Sequence, residues 1–288
     1  MTDEKPPLDF LGACVQFDVR RGDVSANLAC AERHLQSAAE QGVKLAILPE
    51  LWSTSFLPTW DEDVVREARQ ADERVLRLSQ ELDMVVVGSA VEADGCKRFN
   101  RVLVCDRGDV AASYRKIHLF TPNAEDRSMS PGSEPAAVDT SVGRLGLAVC
   151  YDLRFAELMR WFFYQHVEIL VVPAQWPESR ASHWRALIDA RAIENQCFVL
   201  GCNRTGSEGS LKGTDQLAFP GNSRIVDPMG EVLASGQGDA GTVVAEIEPR
   251  KVRTMRRMMP IERDRRLELY PAWWAEAWSA PAVSRQTP

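Results

Sequence analysis

Short apolar runs alternate with amphipathic segments through the first two-thirds of this 288-residue chain, and few architectures can bury both. Leu11 to Val19 has the composition of a strand. A helix is expected from near Ser25, with Leu28, Ala31, Leu35 and Ala38 at helical spacing and Gly42 as its stop. Leu45 to Leu48 lacks alternation, which marks a strand buried on both faces. The next helix runs from about Asp61 to Leu82, with Val64, Ala68, Ala71, Val75, Leu78 and Leu82 on one face. Met84 to Val91, Phe99 to Asp106 and Val110 to Ile117 follow with turn residues between them, so this stretch is antiparallel. An irregular segment, Thr121 to Glu134, leads to a strand ending at Cys150, helix Phe155 to Gln165, strand Val167 to Pro173 and helix Ser179 to Asn195. Strands at Cys197 to Asn203, Ser223 to Val226, Glu231 to Ala234 and Thr242 to Ile247 close the body. Helices interspersed with strands imply layers on both faces of a sheet, or outside two stacked sheets. No linker, repeat or low-complexity tract divides the chain, so one domain is expected.

Composition removes several classes of function. A formal net charge of −7 argues against a nucleic-acid or anionic-membrane partner, since both need a basic face. No apolar segment approaches a membrane span, and the first residues lack the pattern of a signal peptide. Seven cysteines sit mostly inside apolar runs and form no framework, which suits reduced thiols and a cytoplasmic location. Neither Cys-x-x-Cys nor His-x-x-x-His occurs, so no metal site is expected.

The strongest chemical signal is Ala148-Val149-Cys150-Tyr151-Asp152-Leu153. A thiol at a strand end and beneath a helix N-terminus has its thiolate favoured by unpaired N–H groups and the helix dipole. Cys150 is therefore a candidate nucleophile, the alternative being a buried structural thiol. Glu50 ends the apolar strand after Pro49, Lys116 ends the strand through Tyr114, and Glu125 lies in the irregular segment. Taken singly, each could be a solvated charge at a strand end. Together they suffice for acyl transfer without histidine: a carboxylate to take the thiol proton, an ammonium for the oxyanion, and a second carboxylate to orient lysine or amine.

These motifs carry a resemblance. Leu48-Pro49-Glu50, Tyr114-Arg115-Lys116-Ile117-His118-Leu119-Phe120 and Val149-Cys150-Tyr151-Asp152-Leu153-Arg154-Phe155 resemble the Glu, Lys and Cys signatures of the nitrilase superfamily of carbon–nitrogen hydrolases, in order and separation. Arg191 to Gln196 and Asn222 to Gly230 agree as well, and the family's second glutamate falls on Glu125. Thr121 departs from many members, which carry an acidic residue or glycine there.

The resemblance implies an α-β-β-α sandwich, two stacked sheets flanked by helices, whose subunits pair as a homodimer or larger homo-oligomer. It makes residues 10–258 the hydrolase domain, with 1–9 a flexible N-terminus. Residues 259–288 form a tail rich in tryptophan (Trp273, Trp274, Trp278) that docks on its own domain or on a partner subunit. By the same analogy Glu50 is the general base, Cys150 the nucleophile, Lys116 the oxyanion stabiliser and Glu125 a positioning group. The backbone N–H of Tyr151 would be the second oxyanion donor, and no cofactor is implied.

Pro173-Ala174-Gln175-Trp176-Pro177, His183-Trp184 and Gly201 to Gly206 are similar to the omega-amidase branch, which deamidates 2-oxo acids such as 2-oxoglutaramate and 2-oxosuccinamate. The free carboxylate of such a substrate needs a cation. Arg154 is a local candidate, unless it is a surface residue or pairs with Glu157. Trp176 would form a pocket wall or simply pack its loop. Amidases for deaminated glutathione or for N-carbamoyl compounds are the alternatives within the class. A non-catalytic scaffold on the same fold is the alternative outside it.

Three further signals are discounted. Gly236 to Gly241 matches a dinucleotide fingerprint by letters but precedes a strand run, so it reads as a turn. His118 would share a strand face with Lys116 and remains a minor option for a Cys–His pair. The basic run Lys251 to Arg257 reads as a solvated helix face.

Overall fold

The computed structural model describes residues 9–279, with side chains through residue 276, so residues 1–8 of the expected flexible start and the Trp278 side chain lie outside it. β1 (Phe10–Gln16), helix α1 (Val24–Glu40), β2 (Val43–Ile47), α2 (Glu62–Glu81) and β3 (Val85–Asp94) form two successive crossover units. Their three strands are parallel neighbours, and β4 (Lys97–Asp106) and β5 (Asp109–Arg115) add to them antiparallel. Residues 116–135, which hold the single-turn helix α3 (Glu125–Ser128), then carry the chain to a second sheet.

That sheet repeats the plan. β6 (Ala136–Thr140) pairs antiparallel with β7 (Gly143–Leu147). From there α4 (Ala156–Tyr164), β8 (Ile169–Ala174), α5 (Ala181–Asn195) and β9 (Phe198–Asn203) complete a second run of three parallel strands. A separate hairpin, β10 (Thr205–Gly209) and β11 (Gln216–Pro220), precedes β12 (Arg224–Val226) and β13 (Val232–Ser235) at the sheet's far edge. The loop through Gly236 to Gly241 crosses back to β14 (Gly241–Ile247), which pairs with β1. It is a turn between sheets, as expected.

The missing alternation of the apolar runs follows from this layering. On β2, Leu45 and Ile47 enter the core shared with Leu145, Leu147, Ile169 and Val171 of the other sheet. Ala46, with Leu48 beyond it, enters the core beneath α1 and α2 beside Leu35 and Val75. The result is the expected α-β-β-α sandwich of two stacked sheets. Helix contact on the outer face is close. A Cβ on Gly201 of β9 would lie 2.6 Å from Ile188 Cδ1 and 2.8 Å from Trp184 Cζ2 on α5.

Four local expectations need correction. β6 and the β10–β11 hairpin were not foreseen, because Thr205–Gly209 has no apolar pattern and Ala136–Thr140 is a short edge strand. The strand before Cys150 stops at Leu147. Residues 121–134 are not wholly irregular, since they contain α3 and a 3-10 turn, Thr121–Asn123. The basic run lies on α6 (Pro249–Met258), but that helix also buries Val252 and Met255. α7 (Ile261–Asp264) and α8 (Tyr270–Ser279) follow. Between them Arg265 stacks 4.2 Å from the Tyr164 ring of α4 and 5.6 Å from Tyr270. Among the described residues no helix is long and apolar enough to cross a membrane.

Candidate active site

Parallel strands of a layered sheet open their carboxyl ends to ligands, and both sheets bring those ends to one place. Glu50 follows β2, Cys150 follows β7 and Gln175 follows β8. Lys116 and Glu125 belong to the crossover between sheets. Backbone strain marks three of these positions. Leu51 beside Glu50, Ala124 beside Glu125, and Cys150 itself take positive φ values of 43°, 60° and 44°. Such conformations cost of order 1–3 kcal/mol each and persist only where the surroundings enforce them.

The enforcing contacts are specific. The Glu50 turn is tied to β3 by the Leu51 N–H, which donates to Ser89 Oγ at 2.8 Å. Lys116 N–H donates to Asn100 O at 2.9 Å, and its carbonyl accepts from Gly132 N–H at 2.8 Å. Cys150 opens a 3-10 turn, Cys150–Arg154. Buried Asp152 anchors that turn, accepting from Val149 N–H at 2.9 Å, Tyr114 Oη at 2.8 Å and His118 N–H at 3.1 Å. His118 Nδ1 is also 2.7 Å from Asp152 Oδ1. From α5, Arg191 donates to Leu153 O through Nε at 3.0 Å and Nη2 at 2.5 Å.

Glu50, Lys116 and Glu125 are all buried, so none is a solvated charge at a strand end. Lys116 Nζ donates to Glu50 Oε1 at 2.8 Å and to Glu125 Oε2 at 2.7 Å. Asn100 Nδ2 bridges the same pair, at 2.8 Å from Glu50 Oε1 and 3.2 Å from Glu125 Oε1. Backbone N–H groups supply the remaining donors, Gln175 to Glu50 Oε2 at 2.9 Å and Phe120 to Glu125 Oε2 at 2.6 Å. Burial works against the Lys116 ammonium, but the Glu125 and Glu50 carboxylates outweigh it and hold its pKa above the ordinary lysine value. Glu125 is pushed up by burial and by Glu50, against the pull of Lys116 and the Phe120 amide.

The expected lowering of the Cys150 pKa is not what the surroundings produce. α4 begins only at Ala156, so no α-helix N-terminus lies directly over the sulfur. Burial first, and the Glu50 carboxylate next, push the thiol well above its ordinary range, against the Lys116 ammonium and the Gln175 N–H. The surroundings thus favour the thiol form of Cys150 over the thiolate. His118 is also corrected: β5 ends at Arg115, and the imidazole turns to Asp152 and stacks at 3.5 Å on Phe155.

A cavity of about 390 Å³ opens over this cluster, lined by Glu50, Lys116, Cys150, Phe120, Arg180 and Lys212 among others. A second, of about 20 Å³, shares Cys150 and Arg180 and is lined by Tyr151, Arg154 and Trp176. Arg154 makes no ion pair with Glu157. Its guanidinium lies 4.8 Å from the Trp176 ring centroid and 3.3 Å from His183 Nδ1. Trp176 is a buried wall whose indole Nε1–H donates to Arg180 O at 2.8 Å. Asn100, Asp152, Gln175 and Arg180 escaped sequence reasoning. An asparagine inside a strand was the one readable signal, since Asn is depleted in strands.

The carbon–nitrogen hydrolase family model matches residues 12–257. The chain belongs to this family. The hydrolase is 34% identical over 261 residues to the 2-oxoglutaramate amidase of Bacillus subtilis, covering 90% of this chain and 98% of that protein. It is 31% identical over 267 residues to the deaminated glutathione amidase of Synechocystis, covering 87% of this chain and 96% of that one. Among solved structures it superposes with a TM-score of 0.79, at 26% identity, on a variant of the amidase from Nesterenkonia. That match covers 92% of this chain and 96% of the amidase, which carries the acetamide moiety of fluoroacetamide added covalently at its active-site cysteine. The protein is an enzyme of amidase type.

Proposed function

We propose that this hydrolase converts a small carboxylate-bearing amide to its acid and ammonia through a thioester on Cys150, with 2-oxoglutaramate and 2-oxosuccinamate as the substrate type. The observation that carries the proposal is the Lys116 ammonium held between Glu50 and Glu125 in the cavity that also contains Cys150. Glu50 takes the thiol proton as the sulfur attacks the amide carbon. Lys116 Nζ and the Tyr151 backbone N–H receive the oxyanion, and losing one such donor typically costs about 2.7–4 kcal/mol of barrier. The C–N bond breaks as the Glu50 proton passes to nitrogen, and ammonia leaves. Water then gives a proton to Glu50 while its oxygen attacks the thioester. The C–S bond breaks, the proton returns to sulfur, and the acid is released.

Glu125 holds Lys116 and orients the departing amine. Arg154 supplies positive charge for the substrate carboxylate, and Trp176 walls the acyl group. A homodimer is part of the proposal. The exposed Leu267, Trp273 and Trp274 support it, and sedimentation measurements test it.

Cys150→Ala should abolish ammonia release while leaving the fold intact, and mass spectrometry during turnover should find an acyl adduct on Cys150. Full activity in that variant would refute the mechanism. A deaminated peptide is the second reading, favoured by the Synechocystis relative and by a cavity within the size range of organic-ligand pockets. Release of a peptide amine in place of ammonia separates the two.

A further inference from the structure

The cations around Cys150 differ in what already neutralises them. Lys116 faces two carboxylates at 2.8 and 2.7 Å. Lys212 is exposed, and its Nζ donates to Thr121 O at 3.0 Å. Glu208, a half-buried acid of the larger cavity, is paired with Arg204 at 2.9 Å and Arg21 at 3.2 Å. Asp215 also lines that cavity but is solvent-exposed. Arg154 is packed on Trp176 and reaches only the cavity of about 20 Å³. Arg180 differs from all of these. It is half-buried, it lines both cavities beside Cys150, and among the described residues no carboxylate lies within ion-pair distance of it.

Its backbone is fixed while its side chain is not saturated. Arg180 closes a 3-10 turn, Glu178–Arg180, with its N–H donating to Pro177 O at 3.0 Å and its carbonyl accepting the Trp176 indole at 2.8 Å. The guanidinium leans toward the Phe120 ring, 5.8 Å from its centroid. Arg180 is also the N-cap of the 15-residue helix α5, so the positive end of that dipole adds to its charge. An unpaired guanidinium at a cavity wall has its five donors in a planar fork suited to a carboxylate.

We propose that Arg180 is a specificity-determining residue, whose guanidinium grips the free carboxylate of the amide substrate across the cavity from the reacting carbon. The inference rests on the carboxylate-bearing substrate assigned above. It adds to Arg154 a second cation, one that the larger cavity presents directly.

The test measures kcat/KM for ammonia release from 2-oxoglutaramate and from its methyl ester, in wild-type enzyme, Arg180→Gln and Arg180→Lys. Both substitutions leave the backbone contacts of residue 180 in place, and thermal melts check folding. A hydrogen bond to a charged group is worth about 1.5–3 kcal/mol, so Arg180→Gln should lower the preference for acid over ester roughly 10- to 160-fold. The loss should fall mainly in KM, and Arg180→Lys should recover part of it. If wild type discriminates and Arg180→Gln discriminates equally, the assignment of Arg180 is wrong. If wild type does not distinguish acid from ester, the carboxylate-bearing substrate itself is wrong and the role of Arg180 falls with it.

Discussion

Replacing Lys116 with Met tests the charge cluster most directly, because the side chain is buried and nearly matched in length while its charge disappears. Glu50 and Glu125 would then face each other with only Asn100 Nδ2 and two backbone N–H groups as donors. Breaking a buried ion pair by removing one partner costs about 3–5 kcal/mol. At about 2–4 °C of melting temperature per kcal/mol for a protein somewhat smaller than this, the variant should melt roughly 6–20 °C below wild type near pH 8.

The size of that gap should depend on pH in a fixed direction. Burial and Glu50 already raise the Glu125 pKa, and the substitution removes the ammonium that pulls it down. A carboxyl whose pKa is higher folded than unfolded binds its proton more tightly in the native state. Its stabilisation is complete below the unfolded value of about 4.3 and is lost as pH rises through the folded value. Lys116 itself has a raised pKa, so its own contribution to wild-type stability stays constant from pH 5 to 8.5. The melting gap should therefore narrow at pH 5 and widen toward pH 8.5, as read by calorimetry across that range. A gap that is constant, or that widens toward acid, would refute the idea that Lys116 is what keeps two buried carboxylates compatible.

Three other outcomes are expected. Glu50 raises the Cys150 pKa, so Glu50→Gln should speed iodoacetamide alkylation of Cys150 at pH 8, followed by mass spectrometry, while abolishing turnover; slower alkylation would contradict the electrostatics. Asp152→Asn cannot satisfy its neighbours in either amide orientation, because one oxygen faces Val149 N–H and the other His118 N–H. A buried unpaired donor costs about 1–3 kcal/mol, to be read in urea unfolding, and displacement of the Cys150 turn should lower kcat more than it raises KM. Gly201→Ala puts a Cβ into Ile188 and Trp184 and should destabilise by about 1–3 kcal/mol, part of which Ile188→Val should restore.

How much of this was legible depends on how far each signal travels along the chain. The body of the sandwich could be read because apolar period and turn residues are local, and Glu50, Lys116 and Cys150 stood out as polar groups at the ends of apolar runs. The short edge strand β6 and the polar hairpin β10–β11 carry no such pattern. β6 is held by its partner β7, and the hairpin by contacts such as Arg204 with Asp18 at 2.8 Å and Glu208 with Ser55 at 2.9 Å. The thiol's acidity was misjudged for a related reason. A strand-to-helix transition suggests a helix dipole over the sulfur, but the five-residue 3-10 turn intervenes and burial beside Glu50 dominates. That inversion has a mechanistic consequence. In the mechanism proposed above, a cysteine whose thiol form is favoured needs no histidine and reacts as its proton moves to Glu50, so Glu50 has to be held in place. Asn100, Gln175 and Lys116 do this from 50, 125 and 66 residues away, a convergence that no local pattern in the chain could announce.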